Sequence, residues 1–155
     1  MNNFSINSIK IPPPVVTALF ALAMYGLASI SSTTFTFALQ YWLIGILLVL
    51  SLAMLLPAVI QFYQHKTTVN PLRPEKAKKL VVTGLYRYSR NPMYLGMALI
   101  LLAWCLYLAN PLNLFFLVGF IAYMNRFQIM PEERALETLF KEDFIAYKQR
   151  VRRWI

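Results

Sequence analysis

Two short stretches carry most of the residue types that could do chemistry. YRYSRNPMYLG, residues 86–96, places Tyr86, Arg87, Arg90, Asn91 and Tyr94 on the threshold of a long apolar run. RFQIMPEER, residues 126–134, places Arg126, Gln128, Glu132, Glu133 and Arg134 where another apolar run ends. Arginine and tyrosine at such a boundary can anchor a helix among lipid headgroups. They can also hold a charged ligand, because a guanidinium forks onto a carboxylate and an aromatic face attracts a cation. Anchoring gives the glutamates no purpose, since it is positive charge that sets orientation. Pro71, Pro74, Gly84, Pro92 and Gly96 further suggest a shaped loop. A ligand site drawn from both stretches is therefore expected.

Other chemistries are closed off by count. Cys105 is the single cysteine and lies inside an apolar run, so one chain can form neither a disulfide nor a cysteine zinc site. His65 is the single histidine, which removes multi-histidine metal sites, and no metal is expected.

The elements that must position these residues follow from where charge is missing. Apolar residues make up 59% of the 155 and charged ones 14%, against about 25% charged in a typical globular chain. Positions 11–65 and 91–125 contain no Asp, Glu, Lys or Arg. A soluble chain of this length would have to expose surface in those blocks. The expected class is an all-α integral membrane protein with spans near residues 15–31, 41–62, 93–109 and 112–127. Each approaches the ~20 apolar residues a crossing needs. The first, which follows Pro12, Pro13 and Pro14 and lacks a small-residue cleavage site, is expected to stay as a span.

The net charge of +9 could suggest nucleic acid, but its placement argues for a membrane. All 15 basic residues fall at Lys10, in the 66–90 loop or in the 126–155 tail. Positive charge marks the cytoplasmic side. Four spans with both termini cytoplasmic satisfy that rule, and the basic face would meet anionic membrane lipids.

Local signals refine this plan. In the long loop, residues 76–79 can form a helical turn, LVVT reads as extended and Thr83-Gly84 as a turn. Asn91-Pro92 biases Asn91 away from helix and starts the third helix at Pro92, where free backbone N–H groups would attract an anion. In the tail, Pro131, Glu132 and Glu133 suit a helix start. Leu136, Leu139, Phe140, Phe144 and Tyr147 form one apolar face. That amphipathic helix should lie along the cytoplasmic surface or fold back over the bundle, with Trp154 as an interfacial anchor. Pro57 is expected to kink the second span.

TTVNPLRPEKAKKLVVTGLYRYSRNPMYLG followed by RFQIMPEERALETLFKEDFIAYKQRVRRW resembles the isoprenylcysteine carboxyl methyltransferase family. The likeness is to its short bacterial members and, more distantly, to the phospholipid N-methyltransferases. It covers residues 65–153, two motifs with a helical hairpin between them. The resemblance implies a membrane-embedded S-adenosyl-L-methionine-dependent methyltransferase, here one domain over 1–155. Residues 1–64 would supply two N-terminal spans, and 65–155 the cofactor loop, the hairpin and the C-terminal helix. By the same resemblance the cofactor would meet Lys78, Lys79, Leu80, Val81, Tyr86, Asn91, Pro92, Met93, Tyr94 and Glu132. Arg90 or the helix start would hold its carboxylate. Eukaryotic members have His at the Asn91 position and a substrate-contacting arginine at the Gln128 position, so Gln128 and nearby Arg126 are the expected acceptor-side residues. No catalytic base is singled out; Glu133, Tyr94 and His65 are candidates if the acceptor needs one. The acceptor would be a lipophilic small molecule or a lipidated group, reached from a bacterial inner membrane. Two rivals stand beside this: a sterol-reductase-like NADPH enzyme, whose family shares an Arg-x-Pro-x-Tyr-x-Gly doorway, and a non-catalytic membrane scaffold.

Overall fold

A computed structural model describes residues 11–64 and 80–155. Lys78, Lys79, His65 and the helical turn expected at 76–79 lie outside the described residues. The regular structure among the described residues is all helical: α1 Pro13–Ile30, α2 Gln40–Gln64, a 3-10 turn Gly84–Arg87, α3 Pro92–Tyr107, α4 Asn113–Tyr123, a π-helical segment Met124–Ile129 and α5 Met130–Arg150. Three stretches are long and apolar enough to cross a membrane, Pro13–Ile30, Gln40–Gln61 and Asn113–Arg150, and α3 is a shorter apolar helix. This is an all-α integral membrane protein.

α3 is the axis of the bundle. Tyr94, Met97, Ala98, Leu101 and Cys105 pack with Val16 and Met24 of α1, Phe120 of α4, and Met124 and Ile129 beyond it. Phe20 meets Phe120 edge to face at 5.6 Å, and the Trp104 indole N–H donates to the Ala21 carbonyl at 3.0 Å. On the other flank α2 approaches α3 closely. Ser51 Oγ donates to the Gly96 carbonyl at 2.9 Å. A Cβ at Gly96 would stand 2.7 Å from Leu55 Cγ, so only glycine permits this approach. Leu22, Trp42, Val49, Leu52 and Phe115 face outward, as lipid-facing side chains of spanning helices do. At the end away from the basic loop, Gln40 Nε2 donates to the Leu106 carbonyl at 2.7 Å, and the Phe35 N–H to that of Ala109 at 2.6 Å. These bonds tie the two connections of that end together.

The expected boundary between the fourth span and a separate tail helix is corrected. α4 runs through the π segment straight into α5, so Glu132 and Glu133 lie inside a continuous helix rather than at a free start. The physical reason is Pro131, which has no N–H to return to the preceding turn. The chain widens before it instead: the Met130 N–H bonds to the Asn125 carbonyl, five residues back. α5 does break at Lys141, where φ is 42°. Pro57 lies within α2 without ending it.

The tail folds back over the bundle. Phe144, Tyr147 and Val151 are buried together, with Leu80, Leu136 and Phe140 against them. Leu139, expected on that apolar face, is exposed. Trp154 is not a surface anchor either. It packs against the core around Tyr94, and its indole N–H donates to Asn125 Oδ1 at 3.1 Å.

Candidate active site

The doorway forms at the end of the bundle where the 80–91 segment enters α3. Thr83 is extended (φ −105°, ψ 170°). Gly84 then takes φ +57°, which glycine adopts without a Cβ penalty, and opens the 3-10 turn. That turn delivers Tyr86 inward, into a cluster with Val81 and Ala58, with Leu85 and Met93 against it. Its backbone carbonyl accepts the Tyr147 hydroxyl at 2.6 Å. Asn91 is non-helical (φ −133°, ψ 55°), and Pro92 begins α3 with no side chain capping the helix start. Tyr94, the third residue of α3, then turns to the interior.

Tyr94 joins the two sequence stretches. Its hydroxyl donates to Glu132 Oε2 at 2.9 Å. The Tyr86 hydroxyl is pushed far above its usual range, chiefly by burial, then by the negative charge of Glu132, and by Tyr147. Tyr86 therefore stays a neutral phenol, and Tyr86, Tyr94 and Glu132 share one sheltered, electronegative place. Val81 and Met93 pack in the Tyr86 cluster, Pro92 is buried at the start of α3, and Leu80 packs instead with Phe144, Tyr147 and Val151.

The neighbouring carboxylate has a different task. Glu133 Oε1 accepts from Arg90 Nη2 at 2.7 Å, and Oε2 from Arg153 Nη2 at 2.6 Å. Arg90 Nη1 donates to the Lys148 and Val151 carbonyls at 3.1 and 2.8 Å. The Arg90 N–H adds a backbone bond to the Arg152 carbonyl, and Asn91 Nδ2 donates to that of Arg153 at 3.0 Å. Arg90 and Asn91, both expected at the ligand, thus strap residues 151–154 across the doorway. Arg90 Nε is enclosed with no partner among the described residues. Glu133, the candidate base, faces two guanidinium groups.

The acceptor-side pair separates. Arg126 is exposed, whereas Gln128 is 4% exposed. Two residues apart on a helix, they point to different sides, so only Gln128 reaches the interior.

Sequence reasoning missed Gln61. Its Oε1 is enclosed without a partner among the described residues, and its amide lies against Gly84, where a Cβ would collide with Nε2. The signal was available: a glutamine at the end of an apolar span is costly unless it meets another polar group.

A 63-residue uncharacterized protein of Haemophilus influenzae is 49% identical over 63 residues, 41% of this chain and all of that one. A protein-S-isoprenylcysteine O-methyltransferase of Saccharomyces cerevisiae is 38% identical over 82 residues, 51% of this chain. The alignment spans only 33% of the yeast protein's length. The family model for phospholipid methyltransferases matches residues 33–143, which take in α2, the doorway, the α3–α4 hairpin, the π segment and the Glu132–Glu133 pair. With well over half of its length so matched, the chain belongs to the phospholipid methyltransferase family.

Proposed function

We propose that this membrane methyltransferase moves a methyl group from S-adenosyl-L-methionine to a lipophilic or lipidated acceptor at the cytoplasmic face of a bacterial inner membrane. The observation that carries the proposal is the 2.9 Å Tyr94–Glu132 contact, beside Tyr86 and at the end of the apolar bundle. It puts a carboxylate and two aromatic rings where a ligand bearing an ammonium, a sulfonium and an adenine could bind.

Roles follow from residue chemistry. Glu132 holds the ammonium. Tyr86 and Tyr94 offer ring faces to the adenine or the sulfonium. The uncapped start of α3 at Asn91, Pro92 and Met93 suits the carboxylate, because Arg90 is engaged by Glu133 and the tail. Val81 lines the apolar side, with Lys78, Lys79 and Leu80 before it in the chain. Bound S-adenosylmethionine supplies an electrophilic methyl on a positively charged sulfur. The chain's own contribution is to orient the two reactants and keep water out, which can supply much of the rate. Of the described candidate bases, Glu133 is engaged by two guanidiniums and Tyr94 donates its own hydroxyl to Glu132, so neither is placed to take a proton. That favours an acceptor with a lone pair ready to bond. The full chain acts as one unit, with both termini cytoplasmic as the basic loop and tail suggest.

Thermal stabilisation of the detergent-purified chain tests this. S-adenosylhomocysteine should raise the melting temperature and NADPH should not. A response to NADPH alone would favour the sterol-reductase-like rival, and a response to neither would favour the scaffold.

A further inference from the structure

Gln61 belongs to neither of the two motif stretches, yet it stands at the doorway. It lies in the last turn of α2. Ala58, three residues earlier, is enclosed in the cluster that holds Val81 and Tyr86. The Gln61 amide presses on Gly84, the residue that opens the Tyr86 turn. A Cβ at Gly84 would overlap Nε2 and come within 2.6 Å of Cδ. Glycine at this position therefore serves two ends, the φ of +57° and room for the Gln61 side chain. Gln61 Oε1 is enclosed and accepts no hydrogen bond among the described residues. Buried polar atoms are nearly always paired, so an orphan of this kind asks for an explanation. A planar amide with an oxygen to satisfy thus lies against the turn that presents Tyr86.

We propose that Gln61 reads the adenine of the cofactor, its Oε1 accepting from the exocyclic amine and its Nε2 donating to a ring nitrogen. The proposal rests on the methyltransferase reading above. A carboxamide carries an acceptor and a donor on one planar end. Adenine carries the complement side by side, the N6 amine and N7, and glutamine pairs with that edge by two hydrogen bonds. The other parts of S-adenosylmethionine fit an amide oxygen less well. The ammonium calls for a carboxylate, the part given to Glu132, and neither the sulfonium nor the carboxylate has a hydrogen to donate. Tyr86 supplies the second half of an adenine site, a ring face on which a base can stack. Stacking tolerates any base, because every base has a π-face, so discrimination falls to the edge contact.

The test uses two probes, S-adenosylhomocysteine and its 6-deamino analogue, in which purine replaces adenine. Their binding to the detergent-purified full chain is measured by calorimetry. The wild type should bind S-adenosylhomocysteine tighter by about tenfold or more, the discrimination that a good contact to a base edge supplies. Gln61→Met keeps the length of the side chain and removes its polar end. It should bind the two probes equally, through lost affinity for S-adenosylhomocysteine alone. Gln61→Glu keeps an accepting oxygen and should keep the preference. A wild type that binds the two probes equally overturns the proposal. So does a Gln61→Met chain that keeps the preference, or one that loses both probes in the same proportion, since the amide would then serve the ribose or the fold. Loss of the preference in Gln61→Glu counts against it in the same way. A wild type that binds neither probe would overturn the methyltransferase reading itself, and this proposal with it.

Discussion

Glu132 and Glu133 are adjacent and identical in type, yet the structure gives them different partners, and single substitutions should separate the work proposed for each. Glu133 and Arg90 have side chains only 11% exposed, and Arg153 bonds the same carboxylate. Glu133→Gln leaves both guanidiniums without their counter-charge. Removing one partner of a buried ion pair costs about 3–5 kcal/mol. The new amide oxygen can still accept one bond, so about 3 kcal/mol is expected. For a chain of this size each kcal/mol shifts melting by about 2–4 °C, which gives a fall of about 6–12 °C. Glu132→Gln should melt close to the wild type, because its amide oxygen can still accept the Tyr94 hydroxyl. It should instead lose the charge that holds an ammonium, at about 2 kcal/mol or about 30-fold in affinity. The assay is melting in detergent together with calorimetry of S-adenosylhomocysteine binding. A Glu132→Gln chain that binds normally, or a Glu133→Gln chain that melts normally, would refute the division of labour.

Gly96→Ala should destabilise the α2–α3 contact by about 1–3 kcal/mol, because the new methyl meets Leu55 Cγ at 2.7 Å and the Ser51 carbonyl at 3.2 Å; a lowered melting temperature checks this. Trp154→Phe keeps the packing but removes the N–H that Asn125 accepts, so a loss of about 1 kcal/mol is expected, read in the same melting assay. Cysteines at Thr33 and Thr138, both exposed, in a Cys105→Ala background should label from opposite sides of the membrane with an impermeant maleimide. Labelling from one side would overturn the orientation drawn from the basic residues.

Composition carried the bundle because lipid imposes a simple rule: a span must be long, apolar and free of charge. Those constraints act on whole segments, so three spans were legible to within a few residues at both ends and the fourth at its start. The doorway was legible for a related reason. Asn91-Pro92 and Thr83-Gly84 restrict their own backbones: Gly84 takes the positive φ that glycine adopts freely, and Asn91 is kept out of helix, though its ψ of 55° falls short of the extended geometry a residue before proline favours. What sequence spacing could not supply was which side of a helix faces which neighbour. Arg126 and Gln128 looked interchangeable as text, and the register of the π segment turns one out and the other in.

Pro131 shows why the tail was misjudged and why that matters for the site. Proline suits a helix start and also tolerates a helix interior if the turn before it opens, and sequence alone favours the first. Here the turn opens: the Met130 N–H reaches back five residues instead of four. Because the helix is unbroken at Pro131, Gln128 and Glu132 share one element, and the strap from Arg153 and Trp154 bonds that element through Glu133 and Asn125. A free helix start at Pro131 would have left the spacing between the two residues to a flexible joint. The same widening that satisfies proline thus also sets the spacing between buried Gln128 and the carboxylate that binds Tyr94.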